Sequence, residues 1–413
     1  MNFSFKSSLM AISLSALSIP IQASDVTGYV VGGIPVKPTD NQTWMASIRY
    51  TPSDTAHVCG GSVINDNWVL TAAHCVVHDL AGSGDFTVLP PSQLNVMVGT
   101  DSSLVEDPAY LYTVTHIVVH PDYSPFATIL STENNDGTIT TDVLSLALDN
   151  DLALLRVGRK FPSHEVTPIK LASPELAAAI DVQLGSEWSD RDRPKNTKVS
   201  GWGSTNSDGS GVSDRLMEAE LAFLPMDECF TRLELGNEAH YIIDSPLNKT
   251  KVCALPPTVL FDSDGNSLEF GPDSCKGDSG GPLRAKDADG NWLQIGIVSG
   301  APVGSPVCGS VSRPGFYTRI GTYFPWIEVT VGTIPEQPVT NPDFIEDETP
   351  GGSGGGTGGG DGGGKDDETT NCKPSGGSFD LCAIDNGSSG GTVPLAGLFG
   401  LFILAVSRRK IKL

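Results

Sequence analysis

Between Val30 and about Gly332 the chain is written in short β-branched or alternating apolar runs, and this feature most limits what it can fold into. "HVCGGSVI", "WVLTAAHC", "LNVMVGT", "YTVTHIVVH", "DLALLRV", "TKVSGWG", "LQIGIVSG" and "GFYTRI" each read as a strand, with turn residues between them. Many short strands separated by turns make a barrel or a sandwich, so the expected class is all-β. Helix-favouring patterns are sparse. Only "YFPWIEVTVG", near 323–332, reads as a closing helix. The 47 glycines and 29 prolines fit long loops and a low-complexity segment.

The two ends of the chain differ from this body. Residues 1–23 have the form of a signal peptide: Lys6 as the positive start, an apolar stretch from Leu9 to Ile19, and Ala23 at the cleavage point. The stretch is too short for a lasting membrane span. Export permits disulfides, and eight cysteines, an even number, suit four bridges whose connectivity spacing alone does not give. No pair of cysteines shows the close spacing of a zinc site, so no metal or cofactor is expected. Residues 333–371 carry "PGGSGGGTGGGDGGGKDDE" and read as a flexible linker. A small cysteine loop segment follows at 372–389, then an apolar stretch with a basic tip at 390–413. The formal charge of −23 repels nucleic acid and anionic lipid and mildly attracts cationic peptides.

Three motifs carry chemistry. "TAAHC" holds His74, "NDLALL" holds Asp151 and "CKGDSGGPL" holds Ser279. A serine hydroxyl is a weak nucleophile and needs a base in contact. A histidine is that base at neutral pH, and a carboxylate fixes its tautomer and stabilises its cation. The remaining histidines, at 57, 78, 116, 120, 164 and 240, have no such context and read as ordinary.

In this order the motifs resemble those of the trypsin/chymotrypsin-like serine proteases, over about residues 30–332. That resemblance implies two six-stranded β-barrels with the active site between them, followed by the closing helix. It also implies His74, Asp151 and Ser279 as catalytic residues, with the amides of Gly277 and Ser279 forming an oxyanion hole. By the same resemblance Cys59 pairs with Cys75, Cys229 with Cys253 and Cys275 with Cys308, leaving Cys372 with Cys382. Asp273 matches the floor of a specificity pocket for Arg or Lys. Gly315 matches a pocket wall, and Ser299 and Gly300 lie in the strand that pairs with substrate backbone. One departure stands out. The family usually has an aromatic after the serine at 299, whereas this chain reads "SGAPVG", with Gly300, Ala301 and Pro302. A wider cleft, and a weaker preference for basic residues, is the expectation.

Long insertions at 124–150 and 255–271 are expected to restrict access to the cleft. "DSDGNSLE" has the alternating oxygens of a calcium loop without the glycine or flanking helices of an EF-hand, and "KDADGNW" reads as a hairpin turn. The stretch "TGYVVGG" resembles the family's activation site. A freed Val30 amine would pair with Asp278, and the propeptide would be residues 24–29. Tyr29 stands where the family usually has a basic residue, so a second protease is the expected activator. The carboxyl end resembles the GlyGly-CTERM sorting signals of Gram-negative bacteria. That implies a rhombosortase, type II secretion through the periplasm, and an extracellular or surface-anchored product; an ordinary membrane anchor is the simpler reading. A protease homologue acting only as a binding module, and a protease of non-basic specificity, are the competing functions.

Overall fold

The apolar runs become twelve strands that close two antiparallel barrels. The computed structural model describes residues 30–345, apart from 52–55, 80–84, 134–138, 235–240 and 303, together with a short strand at Thr369–Asn371. The first barrel contains β1 (Met45–Tyr50), β2 (His57–Val63), β3 (Trp68–Thr71), β4 (Leu94–Val98), β5 (Leu111–Val119) and β6 (Ala153–Val157). They run in the order β6-β3-β2-β1-β4-β5, and pairing of β6 with β5 closes the ring. The second contains β7 (Thr197–Gly201), β8 (Met217–Leu224), β9 (Lys251–Leu255), β10 (Pro282–Lys286), β11 (Trp292–Gly300) and β12 (Gly315–Arg319). Its order is β8-β7-β10-β11-β12-β9, closed by β8 on β9. Closure leaves neither sheet a free edge.

Side chains fill both interiors. Ile48, Val96, Ile117 and Leu154 lie in the core of the first barrel, and Val199, Leu283, Ile295 and Tyr317 in that of the second, all nearly or fully out of solvent. Ile297 and Phe316 of the second barrel belong to the same apolar cluster as the first, so the two pack directly on each other. Three disulfides tie loops to strands: Cys59–Cys75, Cys229–Cys253 and Cys275–Cys308, with sequence separations of 16, 24 and 33. Loops of this length give each bridge a stabilisation of about 3 kcal/mol. The Cys372 and Cys382 pair lies outside the described residues, as do the signal peptide, the propeptide and the apolar carboxyl end.

The closing helix is α3, Ile320–Val331. Two further helices, α1 (Pro174–Glu187) and α2 (Met226–Glu234), escaped the strand-based reading. α1 has a legible start: the Ser173 side chain accepts from Leu176 N at 3.3 Å, and Pro174 takes the first turn. Ala177, Ile180 and Leu184 form its buried stripe.

A larger difference lies after α3. The sequence assigns 333–371 to a flexible linker, yet residues 333–345 cross back to the first barrel. Val339–Thr340 pairs in parallel with β5, and Asp343 N donates to Pro121 O at 2.8 Å. The Phe344 ring sits 5.9 Å from that of Phe86, and Ile345 packs on the main core. Apolar residues in "TIPEQPVTNPDFI" carry this strap; glycine takes over only beyond 350, where the linker composition begins.

Candidate active site

His74 stands on a single 3-10 turn, Ala73–Cys75, directly after β3. The Cys59–Cys75 bridge ties that turn to β2. Asp151 lies just before β6 and is wholly buried. One of its oxygens accepts from His74 N at 2.9 Å; the other lies 2.7 Å from His74 Nδ1. A ring nitrogen facing an ionised carboxylate is its donor, so the tautomer leaves Nε2 free of the proton. Ser299 Oγ donates to the same Asp151 oxygen at 2.6 Å, and Thr318 Oγ1 donates to the Asp151 carbonyl at 2.8 Å. Burial alone would raise the Asp151 carboxyl, but His74 and the Ser299 hydroxyl hold it below its ordinary value.

Ser279 belongs to the loop Cys275–Gly281, which presses on β2. Its carbonyl accepts from Gly60 N at 2.7 Å and lies 3.7 Å from Cys75 Sγ. The serine loop, the histidine turn and Asp151 therefore meet at the junction of the barrels. Gly277 has φ of +95°, and a Cβ there would stand 3.0 Å from Gly203 Cα, so the loop needs glycine at this point.

Asp273 is 3% exposed and accepts from Ser274 N at 2.8 Å and Gly309 N at 3.0 Å. Burial pushes its carboxyl up to about 7. Gly315 lies beside it: a Cβ there would be 3.8 Å from Asp273 Oδ1. Asp278 is also fully buried, its carboxylate accepting from Gly203 N at 2.9 Å and Cys275 N at 2.8 Å, and burial pushes it up to about 7. Val30 and Val31 are fully buried too, and Val31 O accepts from Asp273 N at 3.0 Å.

The sequence profile described as Trypsin matches residues 30–327. This chain belongs to the trypsin family. Among its relatives, "Tryptase" of Mus musculus is 31% identical over 294 residues, 69% of this chain and 82% of the relative. "Serine protease ea" of Drosophila melanogaster is 30% identical over 336 residues, 77% of this chain and 71% of the relative. "Serine proteinase stubble" of the same fly is 32% identical over 292 residues, 69% of this chain but only 29% of that longer protein. As a member of the trypsin family of serine proteases, the chain is a hydrolase whose substrates are proteins.

Several features of this trypsin-family chain were hidden from sequence reasoning. The missing aromatic at Gly300 is replaced from the next strand. A Cβ on Gly300 would stand 2.7 Å from Phe316 Cζ and 3.1 Å from Leu148 Cδ1, so the Phe316 ring fills the space a side chain there would enter. His57, read as ordinary, is packed behind the serine loop. Its Nε2 donates to Gly277 O at 2.8 Å, its Nδ1 accepts from Ser47 Oγ at 2.8 Å, and burial pushes its pKa down to about 4. A neutral imidazole thus fixes the Gly277 carbonyl. Neither residue has a local motif; only the register of neighbouring strands brings them in.

The insertions also take shape. The first forms a hairpin, Thr128–Glu133 against Ile139–Ser145, rooted by backbone bonds between Ser124 and Asp149 beside Asp151. The strand Thr369–Asn371 pairs with its outer edge. The second brings Leu260 against Val31 and the Cys275–Cys308 bridge. Within it, Asp262 turns its carboxylate onto the amides of Asp264 and Asn266 at 3.0 and 2.7 Å, so "DSDGNSLE" is a self-capped turn. "KDADGNW" is the expected hairpin between β10 and β11. Among the described residues no helix is long and apolar enough to cross a membrane.

Proposed function

We propose that the chain is a secreted or surface-tethered serine endopeptidase, made as a zymogen, that cleaves preferentially after Arg or Lys. The observation that carries this reading is the 2.7 Å contact of His74 Nδ1 with buried Asp151, beside the loop that holds Ser279. In the proposed reaction His74 Nε2 takes the Ser279 proton as Oγ attacks the peptide carbonyl. The amides of Gly277 and Ser279 hold the oxyanion; each such donor is worth about 3–4 kcal/mol of transition-state stabilisation. The C–N bond then breaks, the amine leaves with the proton from His74, and the acyl group stays on Ser279 as an ester. Water, deprotonated by His74, releases the acid. Asp273, with Ser299, Gly300 and Gly315 around it, receives the basic side chain.

Activation is proposed at Tyr29–Val30. Val30 is a β-branched residue with φ of +48°, a strained left-handed conformation for such a side chain. Cutting the preceding bond removes that φ constraint and frees an amine that could turn inward toward Asp278. An ammonium there would give this buried carboxylate the counter-charge it lacks. The activator would be a protease that cuts after aromatic residues. We further propose the boundaries set out from the sequence, with residues 1–23 as signal peptide and 24–29 as propeptide. The carboxyl end at 390–413 would be a GlyGly-CTERM signal processed by a rhombosortase in a Gram-negative type II secretion route. Sequencing the amino end of protein from culture medium, with an assay on an Arg peptide, tests this function. A start at Val30 with activity is expected. Full activity from a chain starting at Ser24 would refute the role given to Val30.

A further inference from the structure

Lys251 has no part in the chemistry above, yet it is among the largest fully buried side chains of the protein. It stands on β9 opposite Thr318 of β12, whose hydroxyl holds the Asp151 carbonyl. Directly opposed residues of an antiparallel ladder share a face, so the lysine stem runs beneath the same stretch of chain. Its ammonium stops 3.6 Å from Asp149 Oδ1 and, among the described residues, has no partner within hydrogen-bond distance. The Phe316 ring lies 6.0 Å away. Burial lowers the pKa of Lys251, against the pull of Asp149, Asp151 and Asp244. An ammonium buried without hydrogen bonds is costly, and an apolar chain of the same length would fill the space without that cost.

The turn above the lysine is strained. Leu148 and Asn150, on either side of Asp149, have φ of +50° and +51°. Backbone bonds to Ser124 hold Asp149 from one side, and Tyr323 OH donates to Asn150 Oδ1 at 2.7 Å from another. The lysine supplies the charged anchor from below. Asp151 is the next residue along the chain, and Leu148 is the residue that touches the Gly300 position.

We propose that Lys251 is a positioning residue: its buried ammonium, drawn to Asp149, pins the Leu148–Asn150 turn and so sets Asp151 against His74. This rests on the protease reading above. The cation also offsets a local excess of acid. Asp149 and Asp151 face it from the turn and Asp244 from the stretch after α2. Asp122 lies just past β5, and Asp343 comes from the strap. Tyr123, Tyr323 and His120 stand among them, kept neutral by burial, and His78 lies on the far side of His74. Removing the cation leaves these carboxylates uncompensated beside the His74–Asp151 contact.

Lys251→Met should lower kcat roughly ten- to a hundredfold with less change in KM, as a displaced catalytic group does. It should also move the acid limb of kcat/KM to higher pH. Lys251→Arg should keep the limb in place and recover much of kcat, and Asp149→Asn should lower kcat without moving the limb upward. A packing role alone would lower Tm and leave the limb where it was. The low-field Nδ1–H proton of His74, read by NMR in the Ser279→Ala protein, gives a second test that does not need turnover. The expectation is that Lys251→Met shifts or broadens it and Lys251→Arg does not. An inactive wild-type chain would sink the protease reading while this resonance still judged Lys251. An unchanged resonance in Lys251→Met, or an unmoved acid limb in active protein, would overturn the proposal.

Discussion

Replacing Asp273 with Asn should stabilise the protein while abolishing the proposed preference for basic residues. The carboxyl is raised from 3.8 in the unfolded reference to about 7 by burial. Between roughly pH 4 and 7 the folded chain therefore keeps a proton that the unfolded chain has lost. Stability falls as pH rises through that window and levels off above the folded pKa. Three units at 1.36 kcal/mol each give a penalty of about 4 kcal/mol for the ionised, empty pocket above pH 7. Asn keeps the shape without the charge. The Asp273→Asn protein should exceed wild type by about 4 kcal/mol at pH 8, shrinking to about 1–2 kcal/mol at pH 5. In Tm this is roughly 5–10 °C at the higher pH. Both proteins are best compared in the Ser279→Ala background, which prevents self-digestion. With Ser279 intact, kcat/KM on an Arg peptide should fall about 10²–10³-fold, because a buried cation is left without its partner. Turnover of a matched Leu peptide should hold or rise. A Tm difference that stays flat from pH 5 to 8 would refute the linkage, and equal losses on Arg and Leu peptides would refute the pocket.

Three further outcomes follow from the same geometry. Gly300→Trp should cost about 1–3 kcal/mol by overpacking against Phe316, and adding Phe316→Val should restore most of that loss, as denaturant midpoints would report. Ser299→Ala removes the 2.6 Å donor to Asp151, so kcat should drop while the fold, read by circular dichroism, stays intact. A chain ending at Gly332 should lose about 2 kcal/mol or more with the strap gone, whereas one ending at Ile345 should keep most of that stability, as their Tm values would report.

The sequence and the structure agree most closely where function is local in the chain. "TAAHC", "NDLALL" and "CKGDSGGPL" each hold one member of the proposed triad within a few residues, because a tight turn or strand end must present that side chain. The three bridges within the protease body pair as the resemblance implied. Features made by register were not legible. Phe316 replaces the wall lost at Gly300 because β11 and β12 lie side by side, and nothing in "GFYTRI" announces it. Nothing in "KVCAL" singles out Lys251, although β9 buries all five residues of that run. His57 and Ser47 lie ten residues apart and meet across β1 and β2. The strap at 333–345 was absorbed into the glycine-rich segment because the two are contiguous, although its own residues are apolar enough to pack. α1 was overlooked despite "SPEL", since a short amphipathic helix among strand-like runs changes little in composition.

The central claim is that Ser279 is a nucleophile activated by His74 and Asp151 in the chain that begins at Val30. The most direct test is to treat that chain with a fluorophosphonate and locate the adduct by mass spectrometry. One covalent adduct is expected, on Ser279, lost in His74→Ala and Asp151→Asn proteins that remain folded. An adduct on another serine, or none on a folded chain with a free Val30 amine, would contradict that claim.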